Sequence, residues 1–161
     1  MGNTIQKLYS INLLFKLNNR NMNTIVAVTS QNKKTISEHA GKCRNFIIYT
    51  INNNEIEQKR LLELSLEETL HNFFHGENSL KSSVILDVDI ILTKGIGEGL
   101  IQKLAIHNTT CYKIIESDPD SAIKKLINGT LEAFAPVSHA TSGCYCNCGN
   151  GHKYKNSPNN D

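Results

Sequence analysis

The sequence has no long apolar run and almost no excess charge. No apolar stretch approaches the roughly 20 residues that a membrane-spanning helix needs, so we expect no membrane partner. The 17 lysine and arginine residues nearly balance the 15 aspartate and glutamate residues, for a formal net charge of +2. Because nucleic-acid-binding domains usually carry a concentrated positive patch, we expect no nucleic-acid partner. The 161 residues are enough for one domain with a real core.

A secretory signal is also lacking near the N-terminus. Residues 11–17 form a short apolar patch, but Asn12 and Lys16 interrupt it, and no small-residue cleavage site follows. We therefore expect a cytoplasmic, reducing compartment, where clustered cysteines bind metal more often than they form disulfides. We interpret residues 1–22 as a poorly ordered extension before the first strand, with a weak amphipathic targeting helix as the alternative.

The sequence also has few clustered carboxylates. Asp87 and Asp89 precede a predicted buried strand, and no third or fourth carboxylate accompanies them. A two-metal nuclease needs several carboxylates that converge on one point. We therefore interpret this pair as polar residues at the edge of a strand, and we disfavour a nuclease.

The hydrophobic pattern predicts five strands. They are assigned to the β-branched and apolar segments 24–30, 44–51, 55–64, 88–93 and 109–117. The asparagines at 52–54 are a turn signal, so the second and third strands should form an antiparallel hairpin. Strands alternate with helices in the second half of the chain, and this order predicts parallel pairing with right-handed crossovers.

Two helices are predicted over residues 65–76 and 95–108. Ser65 and Glu68 fit a capping box at the start of the first, and Gly76 is a plausible end. The residues at helical spacing that should face inward are Leu66, Leu70, Phe73 and Phe74 in the first helix and Leu100, Ile101, Leu104 and Ala105 in the second.

A third helix is predicted over residues 117–130. Asp118 suits the N-cap, Pro119 suits the first helical position and Gly129 suits the end. Its apolar face should be Ala122, Ile123, Leu126 and Ile127.

These elements predict an α/β domain over residues 23–132, with a mixed sheet and helices packed on it. From about Phe134 the periodicity stops, and proline, serine, glycine, asparagine and lysine dominate. We therefore expect residues 133–161 to form a flexible cysteine-rich tail without a packed core of its own.

His39 and Cys43 lie in the loop after the first predicted strand, with Gly41 between them. In an α/β sheet such a loop commonly forms part of a binding site. Imidazole and thiolate both bind zinc and the iron of iron–sulfur clusters. Lys33, Lys34, Lys42 and Arg44 should favour the thiolate and attract an anionic ligand. The alternative is a loop histidine and a half-buried structural cysteine.

The segment "GIGEGL" at 95–100 follows a predicted strand and opens a helix. It does not fit a dinucleotide-binding turn, because Leu100 occupies the third glycine position and Glu98 would face the pyrophosphate. We interpret Gly95 and Gly97 as parts of a tight turn that lines a pocket.

Two further groups of metal-binding residue types have simpler interpretations. His71 and His75 are spaced i, i+4 on a predicted helix and could share a metal, but they flank the Phe73 and Phe74 stripe. We interpret them as solvated or capping histidines. Cys111 lies in a predicted strand and is interpreted as a small core residue.

The tail carries a four-ligand set, Cys144, Cys146, Cys148 and His152. Three thiols and an imidazole are chemically competent for zinc, although C-x-C-x-C is not the usual spacing of a structural zinc site. Alternate residues of an extended segment face the same way, and the glycine-rich turn could bring His152 round. The sequence therefore predicts metal contact in the tail, with zinc as one candidate.

Three segments together resemble the dinitrogenase iron–molybdenum cofactor-binding family, which includes NifX, NifY and the C-terminal domain of NifB. They are "TIVAVTSQNKKTISEHAGKCRNFIIYTI" at 24–51, "DVDIILTKGIGEGLIQKL" at 87–104 and "DPDSAIKKLINGTL" at 118–131. The resemblance covers about residues 23–132. His39 matches the family's loop histidine, while the usual His-Phe-Gly reads His39-Ala40-Gly41, without the aromatic residue. The cysteine-rich tail resembles that of a nitrogen-fixation-associated subgroup.

The resemblance implies a ribonuclease-H-like three-layer α/β/α fold with a five-stranded sheet, order 3-2-1-4-5, and strand 2 antiparallel to the rest. It implies a non-enzymatic protein, monomeric or weakly dimeric, that binds or carries an iron–molybdenum cofactor or iron–sulfur precursor cluster. Nitrogenase cofactor-assembly proteins or apo-dinitrogenase would be its partners. On this hypothesis the cofactor-binding residues are His39, Gly41, Cys43, Arg44, Gly95 and Gly97, and the tail adds thiolates to the site or covers it. The alternative is a regulatory or interaction protein with a structural zinc-binding tail.

Overall fold

The computed structural model describes residues 23–76 and 83–134. These residues form six strands and three α-helices. The strands are β1 (Thr24–Thr29), β2 (Asn45–Asn52), β3 (Glu55–Glu63), β4 (Ile90–Thr93), β5 (Thr110–Ile114) and β6 (Ala133–Phe134). The helices are α1 (Leu70–His75), α2 (Glu98–Ile106) and α3 (Pro119–Asn128). The predicted extension at 1–22 and the tail cluster of Cys144, Cys146, Cys148 and His152 lie outside the described residues.

The strands form one mixed sheet in the order β3-β2-β1-β4-β5-β6. β2 is antiparallel to both β1 and β3, whereas β1, β4 and β5 are mutually parallel. The expected α/β class and the order 3-2-1-4-5 are thus confirmed. One strand was not predicted: β6 pairs antiparallel with β5, Ile114 lying opposite Ala133. The sheet therefore extends two residues past the predicted end of the domain at 132.

Two apolar cores lie on opposite faces of this sheet. Because successive side chains of a strand point to opposite faces, Val26 and Val28 enter one core and Ala27 enters the other. α3 covers the first core with Ala122, Ile123 and Leu126. Leu70 of α1 and Leu104 of α2 enter the second. The result is the expected three-layer α/β/α arrangement.

The ends of α3 follow their sequence signals. Asp118 accepts a hydrogen bond from the amide of Ser121 at 2.8 Å, which satisfies one of the free N–H groups at the helix start. Pro119 occupies the first turn. Gly129 ends the helix with φ 69°, a left-handed conformation in which a Cβ atom would be strained.

The start of α1 differs from its prediction. The Ser65 amide does donate to the Glu68 carboxylate at 2.9 Å, but residues 66–68 form a turn and the helix begins at Leu70. Thr69 is the N-cap, and its hydroxyl accepts from the amide of Asn72. Leu66, predicted to face inward, is 61% exposed because it lies in this turn rather than in the helix. Leu70 is fully buried, as predicted.

Two smaller predictions also need correction. Ala105 of α2 is exposed, because only a narrow stripe centred on Leu104 meets the sheet. The fourth strand begins at Ile90 rather than at Val88, which is the C-cap of the 3-10 helix Val84–Asp87. Asp89 then accepts a hydrogen bond from the Ile25 amide at 2.9 Å, consistent with its interpretation as a polar residue at the strand edge.

Within the two described ranges, no helix has the length and apolar character needed to cross a membrane.

Candidate functional site

Two loops meet where the parallel strands β1 and β4 end. The hydroxyl of Thr29, the last residue of β1, donates to the Ser37 carbonyl at 2.8 Å and lies 3.1 Å from the Thr93 hydroxyl. Thr93 is the last residue of β4, and its hydroxyl lies 3.2 Å from the same Ser37 carbonyl. The two strand ends therefore hold the loop after β1 by buried hydroxyl groups.

Backbone hydrogen bonds fix the same loop to the turn after β4. The Ala40 amide donates to the Gly95 carbonyl at 2.9 Å, and the Lys94 amide donates to the Ser37 carbonyl at 3.2 Å. Ala40 is fully buried and opens the 3-10 turn Ala40–Lys42. These contacts make the His39 loop a fixed part of the fold.

His39 adopts a left-handed backbone conformation, with φ 63° and ψ 60°. Such a conformation is uncommon for residues with a side chain and is retained only where the surroundings impose it. The His39 side chain is 82% exposed, and its Nε2 lies 3.9 Å from the Glu38 carboxylate. A strained but anchored backbone therefore presents the imidazole to solvent.

Two glycines lie in contact with the surrounding elements. A Cβ atom on Gly95 would lie 3.4 Å from the His39 nitrogen. A Cβ atom on Gly41 would lie 3.4 Å from Cδ2 of Leu100 and 3.8 Å from Cβ of His71. By contrast, a Cβ atom on Gly97 would meet nothing within 4 Å. Gly41 and Gly95 thus stand where the loop meets α1, α2 and the turn after β4.

A pocket of about 870 Å³ opens between these elements. Five of the six predicted cofactor-binding residues line it: His39, Gly41, Cys43, Gly95 and Gly97. The turn at 95–97 therefore lines a pocket, as its sequence predicted. Its other walls come from α1 and α2 and include Leu70, His71, Phe74, His75, Leu100 and Lys103.

Arg44, the sixth predicted residue, does not line this pocket. Its Nε donates to the Leu64 carbonyl at 3.0 Å, and its amide donates to the side chain of Gln31 at 3.0 Å. The alternation of side chains explains the difference: Cys43 turns inward where Arg44 turns outward, so the guanidinium lies over the end of β3.

The expectation of a thiolate at Cys43 is wrong. Cys43 is only 3% exposed, and burial raises the pKa of its thiol. Burial outweighs the hydrogen bonds that act in the opposite direction, of which that to Ser37 is the largest. The thiol also donates to the Asn45 carbonyl at 3.1 Å, a contact that favours the protonated form. The lysines nearby in sequence are exposed, and none of them is among the causes of the shift in this pKa. Cys43 therefore lines the pocket as a protonated thiol.

Cys111 behaves as its sequence position predicted. It is 1% exposed and belongs to the core beneath α1 and α2. Burial raises its pKa to about 12.

His71 and His75 also line the pocket, a role that their interpretation as solvated or capping residues missed. Their ring centres are 4.9 Å apart. The positive charge of Lys103 is the main cause of a lowered pKa at His75. Their i, i+4 spacing was a visible signal. Their place in the pocket depends on α1 packing against the Ala40–Lys42 turn, which the sequence does not encode locally.

The charged residues that line the pocket are mainly basic. Lys42, Lys103 and Lys113 contribute positive charge, against the single carboxylate of Glu38. The Lys103 ammonium lies 5.6 Å from the centre of the Phe74 ring. Such a pocket attracts an anionic ligand.

Over residues 23–76 and 83–134, no three or more His, Cys, Asp or Glu side chains lie close enough together to hold one metal ion. The pocket instead carries separate donors, with His39 on the loop, His71 and His75 on α1, and Cys43 below the Ala40–Lys42 turn. This arrangement suits a ligand large enough to contact several walls of the pocket at once.

Comparisons with known proteins agree with the fold. The chain is 31% identical over 101 residues to an uncharacterized protein of Methanocaldococcus jannaschii, covering 62% of this chain and 82% of that one. A crystal structure from the same organism, described as a candidate dinitrogenase, is 25% identical with a TM-score of 0.52, covering 71% of this chain and 98% of the other. The apo form of the orange protein from Desulfovibrio gigas shares only the fold, at 14% identity and a TM-score of 0.52, over 70% of this chain and 94% of that one.

The family model described as "Dinitrogenase iron-molybdenum cofactor" matches residues 22–129. This match includes β1 through α3, both loops of the pocket and most of the two cores. The chain therefore belongs to the dinitrogenase iron–molybdenum cofactor family.

Proposed function

We propose that this protein binds an iron–molybdenum cofactor, or an iron–sulfur precursor of it, as cargo in the pocket and carries it during nitrogenase cofactor assembly. The observation that carries the proposal is the convergence of His39, Gly41, Cys43, Gly95 and Gly97 on one basic pocket. We infer a non-enzymatic role, with cofactor-assembly proteins or apo-dinitrogenase as donor and acceptor.

The donor atoms in the pocket suit such a cargo. Imidazole nitrogen and cysteine sulfur are common protein ligands of iron in clusters. Sulfide-rich clusters held by thiolates are anionic, and Lys42, Lys103 and Lys113 supply the opposite charge. His39 offers an exposed nitrogen on a fixed backbone, so it needs little ordering when the cargo arrives.

Cys43 has a different part in the proposal. Its thiol is buried and protonated, so ligation through sulfur would require loss of the proton and would depend on pH. We propose that Cys43 contacts the cargo as a neutral thiol and that His39 supplies the more accessible ligand. A pocket without a ready thiolate favours exchange over permanent retention, as a carrier requires.

The direct test is an anaerobic titration with a chemically prepared [4Fe–4S] cluster and with isolated iron–molybdenum cofactor. Bound iron and molybdenum are measured after gel filtration. A full-length variant with serine at Cys144, Cys146 and Cys148 and alanine at His152 separates binding in the pocket from binding in the tail. Transfer is then measured as recovered activity of apo-dinitrogenase.

His39→Gly is the most informative pocket variant. It removes the imidazole and also suits the left-handed backbone, so we expect the fold to be preserved. Arg44→Ala is the control, because Arg44 lies outside the pocket. We expect His39→Gly to weaken cargo binding at least tenfold and Arg44→Ala to leave it nearly unchanged. Equal binding by His39→Gly and the unmodified protein would refute the proposal.

A further inference from the structure

His71 and His75 form a pair of imidazoles on one wall of the pocket. They are one helical turn apart on α1, so both side chains lie on the same face of the helix. Their ring centres are 4.9 Å apart, and both side chains line the pocket. They reach the pocket from a different element than His39, which lies on the loop after β1.

The separation of the two rings matches that of two imidazoles on one metal atom. A metal–nitrogen bond is about 2.1 Å long, and a ring nitrogen lies about 1.1 Å from the ring centre, so each centre lies about 3.2 Å from the metal. For nitrogen–metal–nitrogen angles between about 90° and 109°, the ring centres are then about 4.5 to 5.2 Å apart. The observed 4.9 Å falls inside this interval.

The charge around the pair identifies the kind of metal centre it can bind. Lys103 approaches the same helix, with its Nζ 3.5 Å from the Phe74 carbonyl and 5.6 Å from the Phe74 ring centre. A free dication would be repelled by this ammonium group, and two imidazoles supply no negative charge to compensate. A metal atom that belongs to an anionic cluster is attracted by the same lysine.

We propose that His71 and His75 together ligate one metal atom of an anionic metal–sulfur cluster, and that Lys103 interacts with the negative charge of that cluster. This inference rests on the proposed function and adds a second attachment point to His39. The cluster is then bound by residues of two elements, the loop after β1 and α1. Ligation forms two metal–nitrogen bonds at that metal atom, breaks its bond to one exchangeable terminal ligand, and raises its coordination number by one, without any change of oxidation state.

The chain offers a matched control for the pair. His107 also contacts Phe74, at 5.7 Å between ring centres, but it does not line the pocket. The double variant His71→Ala with His75→Ala is therefore compared with His107→Ala. The single variant His75→Ala is included as well, because His75 is exposed and its loss should not affect folding. All are made in the full chain with serine at Cys144, Cys146 and Cys148 and alanine at His152, so that the four predicted tail ligands are removed.

The probes are a preformed [4Fe–4S] cluster and, separately, Zn²⁺ alone, each titrated anaerobically. We expect the double variant to lose at least tenfold in affinity for the cluster, since removing even outer-shell partners of a metal commonly costs tenfold or more. His107→Ala should bind as tightly as the parent protein, and Zn²⁺ should bind more weakly than the cluster.

A spectroscopic signature distinguishes ligation from a packing effect. With ¹⁵N-labelled histidine, the reduced paramagnetic cluster should show coupling to histidine nitrogen in the His39→Gly variant. That coupling should disappear when His71 and His75 are also replaced. Persistence of the coupling in the triple variant would overturn the assignment.

These experiments distinguish failure of the inference from failure of the proposed function. If the parent protein binds no cluster, the proposed function fails together with the inference. If it binds the cluster and loses affinity in His39→Gly but not in the double variant, only the inference fails. Tight binding of Zn²⁺ to the pair, without an effect of the pair on cluster affinity, would also overturn it.

Discussion

The hydroxyl of Tyr49 donates a 2.6 Å hydrogen bond to Oδ1 of Asp120, which joins the centre of β2 to the first turn of α3. Lys59 of β3 donates to both oxygens of the same carboxylate, at 2.7 and 2.9 Å. Tyr49 is fully buried, so its hydroxyl depends on this partner. The three side chains link two strands and a helix on the face of the sheet away from the pocket.

Asp120→Asn should lower stability in a pH-dependent way. Hydrogen bonds from Lys59 and then Tyr49 lower the pKa of Asp120 below its usual value of 3.8. A lowered folded-state pKa stabilises the fold above the unfolded-state pKa, and the contribution disappears as the pH falls through the folded value. Because the carboxylate is partly exposed, we expect a loss of only about 1 kcal/mol at neutral pH.

The measurement is urea unfolding at about pH 7 and about pH 3. The difference between parent and Asp120→Asn should shrink at the lower pH. Asp87→Asn, at an exposed position, is the control and should show little difference at either pH. A stability difference that stayed constant between the two pH values would contradict the linkage.

Leu70→Ala and Leu66→Ala test where α1 begins. Leu70 is fully buried in the core, so its truncation should cost about 2–5 kcal/mol. Leu66 is 61% exposed in the preceding turn, so its truncation should change stability by less than about 0.5 kcal/mol. Urea unfolding of both variants decides the matter, and equal losses would place Leu66 in the core after all.

Replacing Gly95 with serine and replacing Gly97 with serine should change the stability of the protein by different amounts. At Gly95 the new Cβ would lie 3.4 Å from the His39 nitrogen and 3.6 Å from Cβ of Glu38, so it would touch the loop and leave no free space on that side for the hydroxyl. At Gly97, the N-cap of α2, the Cβ meets nothing and the hydroxyl can accept from a helical amide. We expect Gly95→Ser to cost about 1 kcal/mol and Gly97→Ser to be neutral or slightly stabilising. Thermal unfolding measures both; equal changes would show that the loop and the turn do not constrain each other.

Cys43 and Cys111 should both resist alkylation at neutral pH. Burial raises the pKa of each thiol, so the reactive thiolate is scarce. Peptide-resolved mass spectrometry should show modification at least about tenfold slower in the native than in the urea-unfolded protein. A guest in the pocket should protect Cys43 further and leave Cys111 unchanged, because only Cys43 lines the pocket. Rapid native labelling of Cys43 would argue for the thiolate that the sequence suggested.

The sequence predicted the elements whose signals are local. Asp118, Pro119 and Gly129 defined α3, since capping and turn preferences act over a few residues. The strand order came from the family resemblance rather than from periodicity. The start of α1 was predicted too early because the capping box at Ser65 and Glu68 does form, but it closes a turn instead of a helix.

The candidate site was predicted only on its loop side. His39, Gly41, Gly95 and Gly97 carry sequence signals of their own, whereas Lys103 becomes part of the pocket only when α2 packs beside α1. Cys43 shows the same limit in its chemistry. Neighbouring lysines are visible in the sequence, but burial, which decides its pKa, is a property of the folded chain.

The two cores lie on opposite faces of the sheet, and the pocket belongs to the face covered by α1 and α2. Protein engineering can therefore address the two faces independently. Substitutions that improve packing beneath α3 should add their stabilisation to that of unrelated changes, because distant sites couple weakly. A thermostable version of this protein could be built from the α3 face alone, with the pocket left intact as a reporter of function.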